Sequence, residues 1–167
     1  MIHLVPYDPT WPLEFEAEAA RIERVCADLE LRLEHIGSTA IPGLSAKPII
    51  DILAGRPPRA QMAPYIAAMK QIGYEHKGAY GIPGRQYFRR GAPRSHHVHM
   101  VSWTSTFWRE QLAFRDFLRA HPERAREYDA LKRELAPVSG DDHNAYTKGK
   151  GPFIRAVLRE SELAARE

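Results

Sequence analysis

Residues 48–54 read Pro-Ile-Ile-Asp-Ile-Leu-Ala, an apolar run broken once, by Asp51. A segment that is apolar on both faces fits a central strand covered on both sides. A carboxylate inside such a run is costly to bury unless it is paired, hydrogen-bonded or bound to a metal. That cost makes Asp51 the residue the neighbouring segments have to accommodate. Upstream, His35-Ile-Gly-Ser-Thr leads through a polar turn to Lys47, so residues 35–54 read as strand, glycine-bearing turn, strand. Gly37 permits positive φ and close approach of another group to the backbone. Ser38 and Thr39 add hydroxyls, and Lys47 adds a point charge that suits phosphate.

The remaining chain supplies a body for this unit. At 167 residues and 44% apolar content it predicts a single domain, residues 1–167, with a real core. The balance of 24 Lys and Arg against 21 Asp and Glu leaves a net charge of +3. That favours anionic ligands mildly and indicates no nucleic-acid-binding tail. Cys26 is the single cysteine and reads as a buried small hydrophobe, not half of a disulfide. With no apolar stretch of membrane-spanning length and no signal-peptide pattern, the expectation is a cytoplasmic protein without a membrane partner.

Along the chain, Ile2 to Tyr7 reads as an edge strand or extended arm. Trp11, Phe15, Ala19, Ile22, Cys26 and Leu29 recur at helical spacing and predict a helix over 12–29, with Pro12 at its start. Leu31 and Leu33 alternate with charged residues as in a half-buried strand, and His35 continues the leucine face. Met62 to Ile72 predicts a second helix, ended by Gly73. Tyr74 to Lys77 reads as a short strand, and the three glycines of 78–84 as a loop. Two antiparallel strands follow, Arg85 to Arg90 and His96 to Trp103. Three helices are then predicted: 104–119, 122–136 stopping before Pro137, and one from Asp141 or Asp142 disturbed at Gly149-Lys-Gly-Pro152. The sum is an α+β fold, a mixed β-sheet with flanking helices and a helical C-terminal portion over 103–167.

Two further groups could carry chemistry. In His96-His-Val-His99, His97 and His99 share one strand face. Such a pair suits a metal, Zn²⁺ among them, or hydrogen bonds to Asp51 or a phosphate. His35 and Asp51, from the other strands, could complete a metal site. Among the basic residues Lys47, Arg85, Arg89, Arg90, Lys132, Lys148 and Lys150, most read as solvated surface charges. Lys47 and Arg85 are the exceptions, and Lys148 is noted beside a helix break with Tyr146 nearby. No GxSxG turn, Walker A loop, HExxH or CxxC occurs in the sequence.

The segment HIGSTAIPGLSAKPIIDI resembles the signature of the GrpB family, whose members are placed in the nucleotidyltransferase superfamily. A related domain is fused to dephospho-CoA kinase. The likeness extends to VPYDPTWPLEFEAE, GRQYFRR, HHVHM, LAFRDFLRAHPERAREYDALKRELA and YTKGKGPFI, nearly the whole chain. The resemblance implies a nucleotidyltransferase-like fold in which the Gly37-Ser38 turn holds phosphates and Asp51 ligates a divalent metal, Mg²⁺ or Mn²⁺ with nucleotide. That superfamily usually carries an acidic pair separated by one residue, whereas Ile49 and Leu53 stand where a same-face partner of Asp51 would be.

The expected site therefore comprises Gly37, Ser38, Thr39, Lys47, Arg85 and Lys148 for the ligand, with Asp51, His97 and His99 for catalysis. The candidate metal ligands are Asp51, His35, His97 and His99. The expected ligand is a nucleotide or another phosphorylated small molecule, with metal-dependent nucleotidyl transfer as the catalytic form. Two alternatives stand beside it: a non-catalytic accessory or ligand-binding domain linked to coenzyme A metabolism, and a His-based metal-dependent phosphoesterase.

Overall fold

The computed structural model describes residues 1–166. The elements in chain order are α1 (Trp11–Val25), β1 (Arg32–Ile36), a 3-10 turn (Ser38–Ala40), β2 (Ile50–Arg56), α2 (Ala63–Gln71) and β3 (Glu75–His76). They continue with β4 (Gln86–Arg90), β5 (His96–Ser102), α3 (Thr106–Ala120), α4 (Pro122–Ser139) and α5 (His143–Ala165). The five strands form one mixed sheet in the order β1-β2-β5-β4-β3. Only β2 and β5 run parallel; the other pairs are antiparallel. The N-terminal arm contributes an isolated bridge, Val5 to Ala46.

Period-two alternation divides the sheet into two faces. On one, Ile50, Ile52, Ala54, Val98, Met100 and Phe88 pack with α1 and α2 residues such as Trp11, Ile22 and Met69. Burying each large side chain of this kind contributes roughly 1.5–3 kcal/mol. The other face carries Asp51, Leu53, His97, His99 and Val101, and part of it is closed by Trp108 of α3. Gly55 is required there, because a Cβ would lie 2.6 Å from the Trp108 ring. A third cluster holds α3, α4 and α5 to the turn after β1 through Ile41, Leu44, Leu118, Tyr128 and Val157.

Local chemistry sets the helix starts. Ser105 caps α3 by accepting from the Trp108 amide at 3.2 Å, and Asp142 caps α5 by accepting from Ala145 at 3.0 Å. Two expectations are corrected. Pro137 lies inside α4, in its exposed last turn, and does not stop it. The segment Gly149 to Pro152 does not interrupt α5, which is helical throughout. Gly149 instead permits close helix packing, since a Cβ would fall 2.7 Å from Leu135 of α4.

Candidate functional site

Alternation and register together assemble the cleft. Asp51 is the β2 partner of His97 on β5, and His99 lies two residues further along the same face. The Asp51 Oδ1 oxygen is 3.2 Å from His99 Nε2 and 3.6 Å from His97 Nδ1. The Asp51 side chain remains 31% exposed, so it faces the cleft and is not sealed in the core. Burial pushes its carboxyl pKa upward, but the His97 and His99 rings beside it outweigh that and hold it below the usual carboxylate range. On the other side of the carboxylate lies Gly37, with φ 75° and ψ −174°, a combination essentially confined to glycine.

Arg85 reaches this group from the start of β4. It is buried, donates to the carbonyl oxygens of Ala79 and Tyr80, and contacts His99 Nδ1 at 3.2 Å. A guanidinium can only donate. His99 Nδ1 therefore accepts, which leaves the proton on Nε2 to be donated to Asp51. Arg85 thus fixes the His99 tautomer and anchors the 78–84 loop; its bonds are made within the protein.

The cationic side of the cleft comes from the loop before β2 and from α4 and α5. Lys132 is fully buried, donates to Ser38 Oγ at 2.8 Å and to the Ser45 carbonyl, and lies over the Tyr128 ring. Burial pushes its pKa down to about 7, helped by the charge of Lys150. Lys47 and Lys150 flank the Tyr146 ring, their ammonium nitrogens 5.4 and 4.6 Å from its centre. Burial lowers the pKa of both, Lys150 to about 8, while Asp51 pulls each the other way.

Sequence-based expectation and structure differ at several positions. His35 does not join Asp51. It sits on the opposite sheet face, stacked on Phe15 at 4.9 Å, with Nε2 bonded to Thr39 Oγ1 at 2.9 Å. Burial and the nearby Arg119 depress its pKa to about 4. Thr39 is buried and its hydroxyl is spent on His35. Lys148 is exposed on the far side of α5. Because α5 is continuous, the residue one turn beyond Tyr146 is Lys150, and that one faces the cleft. Lys132 is not a solvated surface charge; the sequence signal for its burial is its place in the α4 stripe Ala125, Tyr128, Lys132, Ala136, all buried. Among the described residues, no group of three or more His, Cys, Asp or Glu side chains is disposed to hold a metal ion.

Comparison with known proteins agrees with this architecture. Residues 1–160 match the family described as GrpB protein. The crystal structure of conserved protein GrpB from Enterococcus faecalis superposes with a TM-score of 0.86 at 35% identity, over 99% of this chain and 100% of that one. The UPF0157 protein YqkA of Bacillus subtilis is 39% identical over 93% of this chain, which spans only 46% of that protein's length. A dephospho-CoA kinase from Mycolicibacterium paratuberculosis is 28% identical over 96% of this chain and 46% of its own length. Terminal uridylyl transferase 4 from Trypanosoma brucei with bound dUTP shares the fold, with a TM-score of 0.55 at 12% identity over 92% of this chain and 53% of that one.

Proposed function

The chain belongs to the GrpB family, and from that premise we propose that it binds a phosphorylated small molecule, a nucleotide being the favoured class, in the cleft between Lys47, Asp51 and Lys150. The observation that carries this reading is the lysine cluster. Of three buried or half-buried lysines, Lys132 holds the Ser38 hydroxyl while Lys47 and Lys150 flank the Tyr146 ring. Among the described residues, the ammonium groups of Lys47 and Lys150 make no hydrogen bond or ion pair with the protein. An anion supplies the charge they need, and a phosphate offers enough oxygens to accept from several at once. The nucleotidyltransferase-like fold and the dUTP bound by the Trypanosoma protein that shares it support a nucleotide as that anion.

In the catalytic form of this reading, Asp51 and incoming phosphate oxygens would hold Mg²⁺ or Mn²⁺, which would neutralise charge on the phosphates. A single accessible carboxylate fits such an ion only with phosphate present, because Mg²⁺ takes one or two carboxylates together with substrate oxygens. Lys132 holds Ser38 against the phosphate position, and Lys47 and Lys150 balance its charge. Of the two histidines, His97 would be the one free to take a proton. Its Nε2 is buried without a partner, whereas His99 Nε2 already donates to Asp51. The His-based metal-dependent phosphoesterase reading has less support, because both ring nitrogens of His99 are engaged, Nδ1 by Arg85 and Nε2 by Asp51, which leaves it no lone pair for a metal.

A second reading, a non-catalytic ligand-binding domain, is favoured by Leu53. It is fully buried against Ile36, Val101 and Trp108, where a second carboxylate would stand. The likeness to part of a dephospho-CoA kinase supports the same reading and points to coenzyme A metabolism as its setting.

Calorimetric titration with ATP, UTP, dephospho-CoA and tripolyphosphate, with and without Mg²⁺, tests these readings. Binding that Lys47→Ala and Lys150→Ala each weaken is the expected result. A Mg²⁺-dependent gain lost in Asp51→Asn favours the catalytic form, and binding indifferent to Mg²⁺ favours the accessory form. No binding by any of these compounds overturns the phosphate reading.

A further inference from the structure

The cleft has a second side that the phosphate reading leaves unused. Tyr80 stands on the 78–84 loop, 57% exposed as a residue and with φ at 47°. Positive φ is an outlier for a bulky residue, and such strain persists where the surroundings over-determine it, often at ligand clamps. Here Arg85 supplies the constraint, donating to the Ala79 and Tyr80 carbonyl oxygens while it also holds His99. The Tyr80 ring stacks on Tyr87 at 5.3 Å with only 17° between the planes. Tyr87 in turn lies 5.3 Å from the His99 ring and 5.5 Å from the His97 ring. An aromatic ladder therefore runs from the Asp51 carboxylate out to an exposed ring. Its register places Tyr87 opposite His99 and Arg89 opposite His97, all on the Asp51 face. The guanidinium of Arg89 and the ammonium of Lys77 stand 5.4 and 5.9 Å from the Tyr80 ring centre.

From this arrangement we infer that Tyr80 is a stacking platform for a planar heteroaromatic base, so that the ligand of the cleft is a nucleotide and not a phosphorylated sugar or inorganic phosphate. The inference rests on the phosphate-binding reading above. Phosphates sit on the lysine side of Asp51, and the base lies on the tyrosine side. The two sides are joined through the sheet: His99 is hydrogen-bonded to Asp51, and two ring-to-ring steps of 5.3 Å each lead from it to Tyr80. Stacking on an aromatic face is tolerant of base identity, so the platform selects for a base without choosing among bases. Arg89 and Lys77 lie over the same ring as cation–π partners, and their charges add attraction for an electron-rich base and for the neighbouring phosphates.

Titration of the intact chain with ATP, UTP and tripolyphosphate tests the inference. In wild-type protein both nucleotides are expected to bind more tightly than tripolyphosphate. Tyr80→Ala should weaken nucleotide binding by about 10- to 100-fold, the usual worth of one stacked base, and leave tripolyphosphate unchanged. Tyr80→Phe should keep the nucleotide affinity. Tyr80→Gly removes the ring without positive-φ strain and should match the alanine variant, which separates stacking from loop damage. Equal affinities for nucleotide and tripolyphosphate in the wild type, or equal losses for both in the variants, overturn the inference and leave the phosphate reading standing. Binding of none of the three overturns both.

Discussion

A Cβ placed on Gly37 would lie 2.8 Å from Oδ2 of Asp51. The turn backbone and the cleft carboxylate are thus in direct contact, and neither can change without the other. Gly37→Ala meets that contact and a backbone conformation that only glycine adopts readily. The expected loss is roughly 1–3 kcal/mol of stability, together with displacement of Asp51. Urea unfolding measures the first, and the pattern of His97 and His99 ring resonances reports the second. A variant with wild-type stability would show that the turn tolerates a side chain.

Asp51→Leu leaves the His99 Nε2–H without its acceptor. A loss of about 1–3 kcal/mol is expected, the cost of an unsatisfied polar group, whereas Asp51→Asn keeps an acceptor and should lose less. Because the folded carboxyl titrates below its ordinary value of 3.8, its contribution is fully present above that pH. It disappears as pH falls toward the folded value. Acid unfolding curves of wild type and Asp51→Asn should therefore converge at low pH; parallel curves would contradict the pairing.

Lys132 gives the opposite kind of pH dependence. Its folded pKa of about 7 lies below the ordinary 10.5, so the folded state binds fewer protons between those values. Stability from this group is present above pH 10.5 and is lost as pH falls toward 7. Lys132→Met keeps the packing on Tyr128, removes that slope, and should be at least as stable as wild type at pH 7. Thermal unfolding across pH 6 to 10 checks this. A phosphate ligand should also draw a proton onto the cluster, so binding in the wild type should be accompanied by proton uptake at pH 8, readable as a buffer-dependent binding enthalpy.

Arg85→Ala removes three hydrogen bonds from a buried guanidinium. About 1.5–3 kcal/mol of destabilisation is expected, the range for a hydrogen bond to a charged group. Arg85→Lys should not rescue it, since one ammonium cannot span Ala79, Tyr80 and His99. Rapid proteolysis within 78–84 in the alanine variant would accompany the loss. Unchanged melting and protease resistance would return Arg85 to the role of a free anion binder.

Much of this arrangement is legible in the sequence. The strand-turn-strand of 35–54 and the period of two in His96-His-Val-His99 are local patterns, and together they place Asp51 with His97 and His99. The alternation of Leu31, Leu33 and His35 also puts the histidine on a leucine face, but which face Asp51 takes depends on the register between β1 and β2. Register is a tertiary outcome, and it separates His35 from the cleft. Lys132 and Lys150 were harder to find, because their burial comes from α4 and α5 packing together. Reading a helix break at Gly149 to Pro152 lost the phase that links Tyr146 to Lys150. The capacity of Arg85 to bind an anion is likewise spent by a loop whose carbonyl oxygens no sequence pattern aims.

The lysine pocket draws Lys47 from the loop before β2, Lys132 from α4 and Lys150 from α5. During synthesis the strand bearing Asp51 leaves the ribosome long before Lys150 is made. Until α5 emerges and docks, the nascent chain carries the carboxylate, the histidines and the Ser38 turn without the completed cationic wall. If the pocket binds phosphate as proposed, capacity to hold an anion would arrive late and all at once, and in a translating ribosome it would mark the moment at which the helical half has closed onto the sheet.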